Sequence, residues 1–511
     1  MVDKKYNHES FFEQPPQSYW LASTEETDYP ALNSDININV AIVGGGMVGI
    51  LTAKLLKEAG LDVAVIEADR IIQGTTGHTT AKITSQHGLI YNKIKTQMGK
   101  EKATQYADAN ETAIHMIAGI VKEKNIDCDF SWQSAYVYTQ SDKYVKNIVD
   151  EAKTAASLGI KSTYLDEIPL PFPVKAAVRF DHQAQFHPRK LLLALAREIP
   201  GGGCHIFEQT EAVDIEGTGP YSVVTKKGNR VNAPIVIIAS HFPFYDKRGF
   251  YFARIYPEKS YALTITAKEK FPGGMYINAE QPTRSLRSQS YENGELIIVA
   301  GEHHKTGQGE STSHHYERLW NFANQIFTVE NSPYHWSTQD CMTMDGIPYV
   351  GPLTNFKDNL YVATGFGKWG MTNSAVSAML LKDLIIKGDS TWAPVYTPTR
   401  LTLSASAKNF VIENLNVAGK LIGGKLEWLQ NDVSIKPGEG KIVNVNGHRT
   451  GAYRDEKGEL HLVDTTCTHM GCEVEWNSAE RSWDCPCHGS RFSVDGTVIE
   501  GPALKSLVKF K

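Results

Sequence analysis

The stretch that most restricts the fold is "VAIVGGGMVGILTAKLLKEAGLDVAVIE", from Val40 to Glu67. Val40 to Val43 is a short unbroken apolar run, the pattern of a strand buried on both faces of a parallel sheet. Gly44, Gly46 and Gly49 follow with G-x-G-x-x-G spacing, and Ile50, Leu51, Ala53, Leu55 and Leu56 then repeat at helical period up to Gly60. Val63 to Ile66 reads as a second strand, closed by Glu67, 23 residues after the first glycine. Each part has a mechanical reason. The glycines let the main chain turn tightly and approach a pyrophosphate at a helix N-terminus, and the acid accepts hydrogen bonds from a ribose. Strand, glycines, helix, strand and acid in register specify an α/β dinucleotide-binding unit, although periodicity does not distinguish NAD from FAD.

A second constraint lies near the other end. Four of the seven cysteines and two histidines crowd into the stretch from Cys467 to His488. Cys467 and His469 are one residue apart, Cys485 and His488 two, and fifteen residues separate the pairs. Two thiolates and two imidazoles could hold a structural zinc ion, but zinc sites usually pair like with like, as C-x-x-C or H-x₃₋₅-H. One thiolate and one imidazole from each half suits a [2Fe–2S] cluster with both sulfurs on one iron and both nitrogens on the other. Cys128, Cys204 and Cys341 are scattered and read as small buried hydrophobes.

At 511 residues the chain exceeds one hydrophobic core, so two or three domains are expected. A net charge of -5 gives no reason to expect nucleic acid or an anionic membrane as partner. The first residues have no apolar core for a signal peptide, and no run approaches the roughly 20 apolar residues of a spanning helix. The expectation is a soluble cytoplasmic protein with no transmembrane segment, peripheral at the membrane as the alternative.

"IIQGTTGHTTAKITSQHG", "FDHQAQFHPRKLLLALA", "APIVIIAS" and "YVATGFGKWGMTNSAVSAMLLKDLI" follow the glycine motif in that order. Together with it they resemble the D-amino-acid-oxidase-like family of FAD enzymes, which includes glycine, sarcosine and gamma-glutamylputrescine oxidases. The resemblance covers about residues 35 to 400. It implies an α/β Rossmann-like FAD-binding domain with an α+β substrate domain, and oxidation of an amine or amino acid. It puts Glu67 on the adenosine ribose and Gly74 to Thr80, with Thr75, Thr76 and His78, along the pyrophosphate and flavin. Val213 would meet adenine through its backbone, and Ser240 would end the strand returning to FAD. Gly365, Gly367, Lys368, Trp369, Gly370, Met371 and Thr372 would lie against the flavin pyrimidine, a plain glycine-rich turn being the alternative. The apolar positions Val376, Met379, Leu380 and Leu381 predict a helix starting near Thr372, its positive end toward the flavin. Some relatives bind flavin covalently through a histidine like His78. Glycine stands here where they have tryptophan, so non-covalent FAD is expected. No catalytic residue is assigned. Arg284 and Arg287 are candidate carboxylate clamps, weighed against ordinary surface charge. His303 and His304, if on a strand, would face opposite ways, with a surface loop as the default.

"CTHMGC" and "CPCHGS" resemble Rieske proteins over about residues 430 to 511. The resemblance implies a small all-β domain with Cys467, His469, Cys485 and His488 as cluster ligands and their histidine edges exposed. It also implies a Cys472–Cys487 disulfide clasping the two loops, free thiols being the alternative. Ser490 matches a serine that hydrogen-bonds a bridging sulfide. Phe492 stands where a tyrosine often donates to a ligand sulfur, which predicts a lowered potential. The boundaries read as an N-terminal arm (1–37), an oxidoreductase domain (38–400), a linker and connecting helix (401–430) and the Rieske domain (431–511). Within 38–400, the FAD-binding parts are about 38–90, 170–240 and 336–400, and the substrate parts about 91–169 and 241–335. The expected function is a dehydrogenase passing electrons from substrate to FAD, to the cluster and to an external carrier. The alternatives are an oxygen-using amine oxidase whose Rieske domain is a redox sensor or interaction module, and an electron-transfer reductase.

Overall fold

The computed structural model describes residues 15–247, 249–354, 359–400, 405–423 and 434–510. Parts of the expected arm and linker therefore lie outside the described residues. β1 (Val40–Val43) leads into helix α1 (Met47–Glu58) and β2 (Val63–Ile66), with β1 parallel to β2 in the register Val40↔Val63 to Val43↔Ile66. All eight strand residues are buried, and each large aliphatic removed from water contributes about 1.5–3 kcal/mol. They sit inside a six-stranded sheet. Its order is Tyr349–Pro352, Leu360–Thr364, Ile235–Ile238, β1, β2, His205–Phe207.

The second layer is a ten-stranded sheet. Its long β3 (Ile255–Ala267) pairs antiparallel with Gly294–Lys305 on one side and with β4 (His335–Thr343) on the other. Direct partners share a face. Pro257, Lys259, Gln339 and Cys341 therefore lie on one side, and Glu258, Ser260, Thr338 and Asp340 on the other. This sheet also takes in Ala176–Gln185 and β4, from stretches that the sequence reading gave to the FAD-binding part. Both extend it by satisfying strand edges that would otherwise present unpaired main-chain groups. The N-terminal arm, from residue 15, is built in too. Trp20 is fully buried and donates from Nε1 to Thr79 O at 2.7 Å, and Ile36–Asn37 pairs with Arg230–Ala233.

Helix α2 (Gly370–Lys387) packs against α1. Helix α3 (Ala405–Gly423) crosses to the terminal domain, with Asn414 donating to Ala253 O at 3.1 Å and Glu413 paired with Lys305 at 2.5 Å. The terminal domain has two four-stranded antiparallel sheets. Between them lies a core of Tyr453, Val463, Val474, Trp483, Phe492 and Leu507 with four cysteines. Cys128, Cys204 and Cys341 are buried free thiols. Among the described residues no helix is long and apolar enough to cross a membrane.

Candidate functional site

The glycine turn between β1 and α1 is shaped by close approach. Gly44 has φ +112°, and a Cβ there would lie 2.4 Å from Ala239 O; one on Gly49 would lie 1.9 Å from Gly44 O. At Gly46 a Cβ would meet only Thr76 Oγ1, at 3.3 Å, and would fill the space above the N-terminus of α1. Glu67 accepts from Gly45 N at 2.7 Å and from Asp69 N at 3.1 Å, and burial raises its carboxyl pKa. Thr210 donates to Glu67 O at 2.8 Å, which brings Val213, half-buried three residues on, into the same neighbourhood. A dinucleotide fits this cradle: the side-chain-free turn and open helix end suit a pyrophosphate, the acid a ribose.

Three further loops converge on it. In Gly74–His78, Thr76 Oγ1 accepts from Met47 N at 3.1 Å. His78 Nδ1 turns back to Gly74 O at 2.9 Å, and burial lowers its pKa. Ser240 and His241 follow the strand Ile235–Ile238, which stops two residues before the expected end at Ser240, and Thr364 Oγ1 donates to His241 O at 2.5 Å. From Gly365 (φ +75°) the third loop runs through Gly367, whose N–H donates to Cys341 O at 2.9 Å, to α2, which begins at Gly370. Trp369 stacks on His87 at 5.0 Å. Met371 and Thr372 are buried, and Thr372 Oγ1 both donates to Thr84 O and accepts from Thr84 N.

The candidate substrate groups separate. Lys368 reaches Ser260 Oγ at 2.8 Å, Glu258 at 3.1 Å and Asp340 at 3.2 Å. Burial alone would lower its pKa, but the two carboxylates reverse that and hold it above the usual lysine range. His303 belongs to this cluster. Burial, then Lys368, lowers its pKa, and its buried Nδ1 has no hydrogen-bond partner. His304 faces away, bonded to Tyr261 OH at 2.9 Å and stacked on His315 at 4.4 Å. Arg284 pairs with Glu302, and Arg287 is fully buried, donating to Ala81 O at 2.8 Å and to Gln289. Both guanidiniums are thus engaged within the protein.

The terminal site is made by two loops with matching hydrogen bonds. Cys467 N donates to Cys472 O and Gly471 N to Cys467 O; Cys485 N donates to Ser490 O and Gly489 N to Cys485 O. Gly471 and Gly489 take φ +77° and +76°, where a side chain would be strained. Cys467 and Cys485 are buried, and the Cys485 thiol and Ser490 hydroxyl beside the Cys467 thiol lower its pKa to about 7. Ser490 Oγ also accepts from Ala503 N at 3.0 Å. The His469 and His488 rings lie 5.0 Å apart at 90°, and the Nδ1 of each is buried with no hydrogen-bond partner. Two orphaned imidazole nitrogens beside two thiols fit a metal cluster, because a metal would satisfy both. The Cys472 and Cys487 sulfurs are 2.12 Å apart, joining the loops. Phe492 is buried in the same core.

The expected exposure of both histidines is corrected. His488 is 3% exposed and covered by Phe252, ring centres 5.9 Å apart, because this loop is docked on the flavin domain. Only His469, between exposed Thr468 and Met470, keeps access to solvent. Gly489 is pressed on Pro257, where a Cβ would lie 2.6 Å from Pro257 Cβ, and its carbonyl accepts from Gln339 Nε2 at 2.9 Å. Gln308 donates to Pro486 O at 3.0 Å, Thr312 to Asn477 at 2.7 Å and Tyr316 to Glu480 at 3.1 Å. Sequence reasoning missed Pro257, His241 and Gln339, which belong to no motif and matter only through pairing of distant strands.

Comparison with known proteins agrees with both sites. The family described as "DAO: FAD dependent oxidoreductase" matches residues 39–384, and "Rieske [2Fe-2S] domain" matches residues 427–511. A Bacillus subtilis (strain 168) protein named as the Rieske 2Fe-2S iron-sulfur protein YhfW is 46% identical, covering 98% of each chain. Gamma-glutamylputrescine oxidoreductase of Escherichia coli (strain K12) is 25% identical, over 73% of this chain and 89% of its own. Among solved structures, glycine oxidase from Geobacillus kaustophilus superposes with a TM-score of 0.60 at 17% identity, covering 71% of this chain and 99% of its own. The chain therefore belongs to the DAO family of FAD-dependent oxidoreductases and carries a C-terminal Rieske [2Fe-2S] domain.

Proposed function

We propose that this protein is an amine or amino-acid dehydrogenase that sends its electrons through the Rieske cluster to an external one-electron carrier. The observation that carries the reading is the docking of the cluster loop: Gly489, next to His488, lies in van der Waals contact with the flavin domain at Pro257 and is hydrogen-bonded to Gln339. A domain serving only as a tethered sensor has no need of that fit. When bound, FAD accepts a hydride and the cluster accepts single electrons. Overall, one CH–NH donor yields a C=N product, two protons and two electrons, taken up by two equivalents of carrier. The donor class follows the relatives, whose names specify gamma-glutamylputrescine and glycine, both amines.

In this reading Gly44, Gly46 and Gly49 seat the pyrophosphate, Glu67 the ribose and the Val213 backbone the adenine. Thr75, Thr76, His78 and the loop from Gly365 to Thr372 close on the flavin. Cys467, His469, Cys485 and His488 hold the cluster, and Cys472–Cys487 ties their loops. Lys368, fixed by Glu258 and Asp340, braces the loop that closes on the flavin. Neutral His303 offers its unpartnered Nδ1 to a polar substrate group. The outlet is His469, and the setting is the cytoplasm, free or peripheral at the membrane.

The test is anaerobic mixing of the holoenzyme with a panel of amines and amino acids. The expected result is flavin bleaching followed by the paramagnetic signal of the reduced cluster. Bleaching with a cluster that stays oxidised sinks the reading. So does rapid peroxide formation in air that Cys467→Ser leaves unchanged, which identifies an oxidase.

A further inference from the structure

Resting on that reading, we propose that Gln339 is the positioning residue that couples the flavin cradle to the cluster loop. It sits in β4, at the sheet edge facing the Gly74–His78 loop, and its polar atoms are divided between the two sites. Its main-chain carbonyl accepts from His241 Nε2 at 2.9 Å and from Thr75 Oγ1 at 3.5 Å, one from each of two loops that close on the flavin cradle. Its side-chain Nε2 donates at 2.9 Å to the carbonyl of Gly489, the residue after His488.

The orientation of this amide is enforced. Thr306 Oγ1, itself buried, donates to Gln339 Oε1 at 2.8 Å. The Gly489 carbonyl can only accept, so the amide must turn its N–H group to Gly489 and its oxygen to Thr306, whose hydroxyl then donates. Gln339 is 4% exposed, and an amide buried that deeply is tolerated only with its hydrogen bonds made. The approach is close because residue 489 is glycine: any Cβ would collide with Pro257 and stand 3.0 Å from Gln339 Nε2. The product is a continuous route of covalent and hydrogen bonds from His488 through the Gly489 carbonyl and Gln339 to Thr75. Electronic coupling falls off more slowly along such a route than across a gap of equal length. The contact from Gln308 to Pro486 O, by contrast, holds the domain from a residue outside the flavin loops. Each transfer moves one electron from the reduced flavin to the oxidised cluster, with no heavy-atom bond made or broken.

The experiment uses the full-length holoprotein and needs no substrate. The flavin is reduced by light with a deazaflavin donor under argon, and cluster reduction is followed optically. Gln339→Met preserves length and volume but has no N–H. It should leave flavin, iron and hydrogen-exchange protection of the terminal domain unchanged while slowing internal transfer about tenfold or more. Gln339→Glu, which sets an anion against the Gly489 carbonyl, should be at least as slow, and Gln308→Ala should stay within about twofold of wild type. A wild-type rate in Gln339→Met overturns the proposal, as does equal slowing by Gln308→Ala. If Gln339→Met loses a cofactor or its protection, Thr306→Val carries the test: slower transfer supports the bridge and an unchanged rate overturns it. Absence of transfer in the wild type sinks the proposed function itself, and is told apart by appearing before any substitution.

Discussion

The four proposed cluster ligands lie between Cys467 and His488 on two loops that close through their own main-chain hydrogen bonds, whereas the proposed flavin cradle draws residues from Gly44 to Thr372. In the first case sequence neighbours are spatial neighbours. In the second, the turn after β1 meets Thr76 and Ala239 and the acid after β2 meets Thr210, all distant in sequence. A local site survives or fails with its own few residues. A distributed one depends on remote packing that holds its parts in register.

The largest expected effect breaks the local site alone. Cys467→Ser should abolish bound iron and labile sulfide while flavin content per chain stays at the wild-type value, read by metal analysis and absorbance. Loss of both cofactors together would mean that the two sites do not form independently.

The distributed site should instead yield to a change in the packing that supports its loops. Arg400, which stacks on Tyr349 behind the Gly365 loop, makes a bidentate pair with Asp345, both contacts at 2.8 Å and both side chains 2% exposed. It also donates to Pro348 O at 2.8 Å. Arg400→Ala removes the guanidinium from a buried carboxylate and should cost about 3–5 kcal/mol, measured by urea unfolding, with weakened FAD retention and an intact cluster.

A smaller effect appears in acid. His87 lies under Trp369 between Tyr106 OH at 2.6 Å and Thr84 O at 2.7 Å, and burial pushes its pKa down to about 3. The unfolded chain takes up a proton near pH 6.5 while the folded one does not. This contribution is therefore complete above about 6.5 and is lost as pH falls toward 3. At pH 5 the loss is about 2 kcal/mol. His87→Gln should flatten the pH dependence of the flavin domain's unfolding midpoint between 6.5 and 5, and an unchanged slope would refute the assignment.

The smallest effect returns to the cluster. Phe492, buried among its cysteines, has no hydroxyl to give a ligand sulfur. The potential should lie below the upper end of the roughly -150 to +300 mV range of Rieske centres, and Phe492→Tyr should raise it. Spectroelectrochemical titration decides, and a fall or no change would count against the missing donor.

How much of this was legible follows the same division. The β1–α1–β2 unit and the two cluster loops were readable because each couples a short-range pattern to a short-range geometry. The start of α2 fell within two residues of expectation because its apolar period is local. The placement of β4 and of Ala176–Gln185 in the large sheet was not readable, since a strand's partners are set by competition among edges distant in sequence. His303 and His304 show the limit in miniature. Their alternation was foreseeable, but which of them meets Lys368 was decided by the packing of β3 against Gly294–Lys305.

The sequence by itself determined that two redox cofactors have seats on this chain, because ligand identity, spacing and glycine placement are properties of contiguous residues. Only the tertiary structure decided that the seats adjoin, that His488 turns inward under Phe252 while His469 faces out, and that Gln339 stands between them. The physical reason is that apposition is fixed by interface packing, here Gly489 on Pro257 and the hydrogen bonds around it, among residues that no local pattern connects.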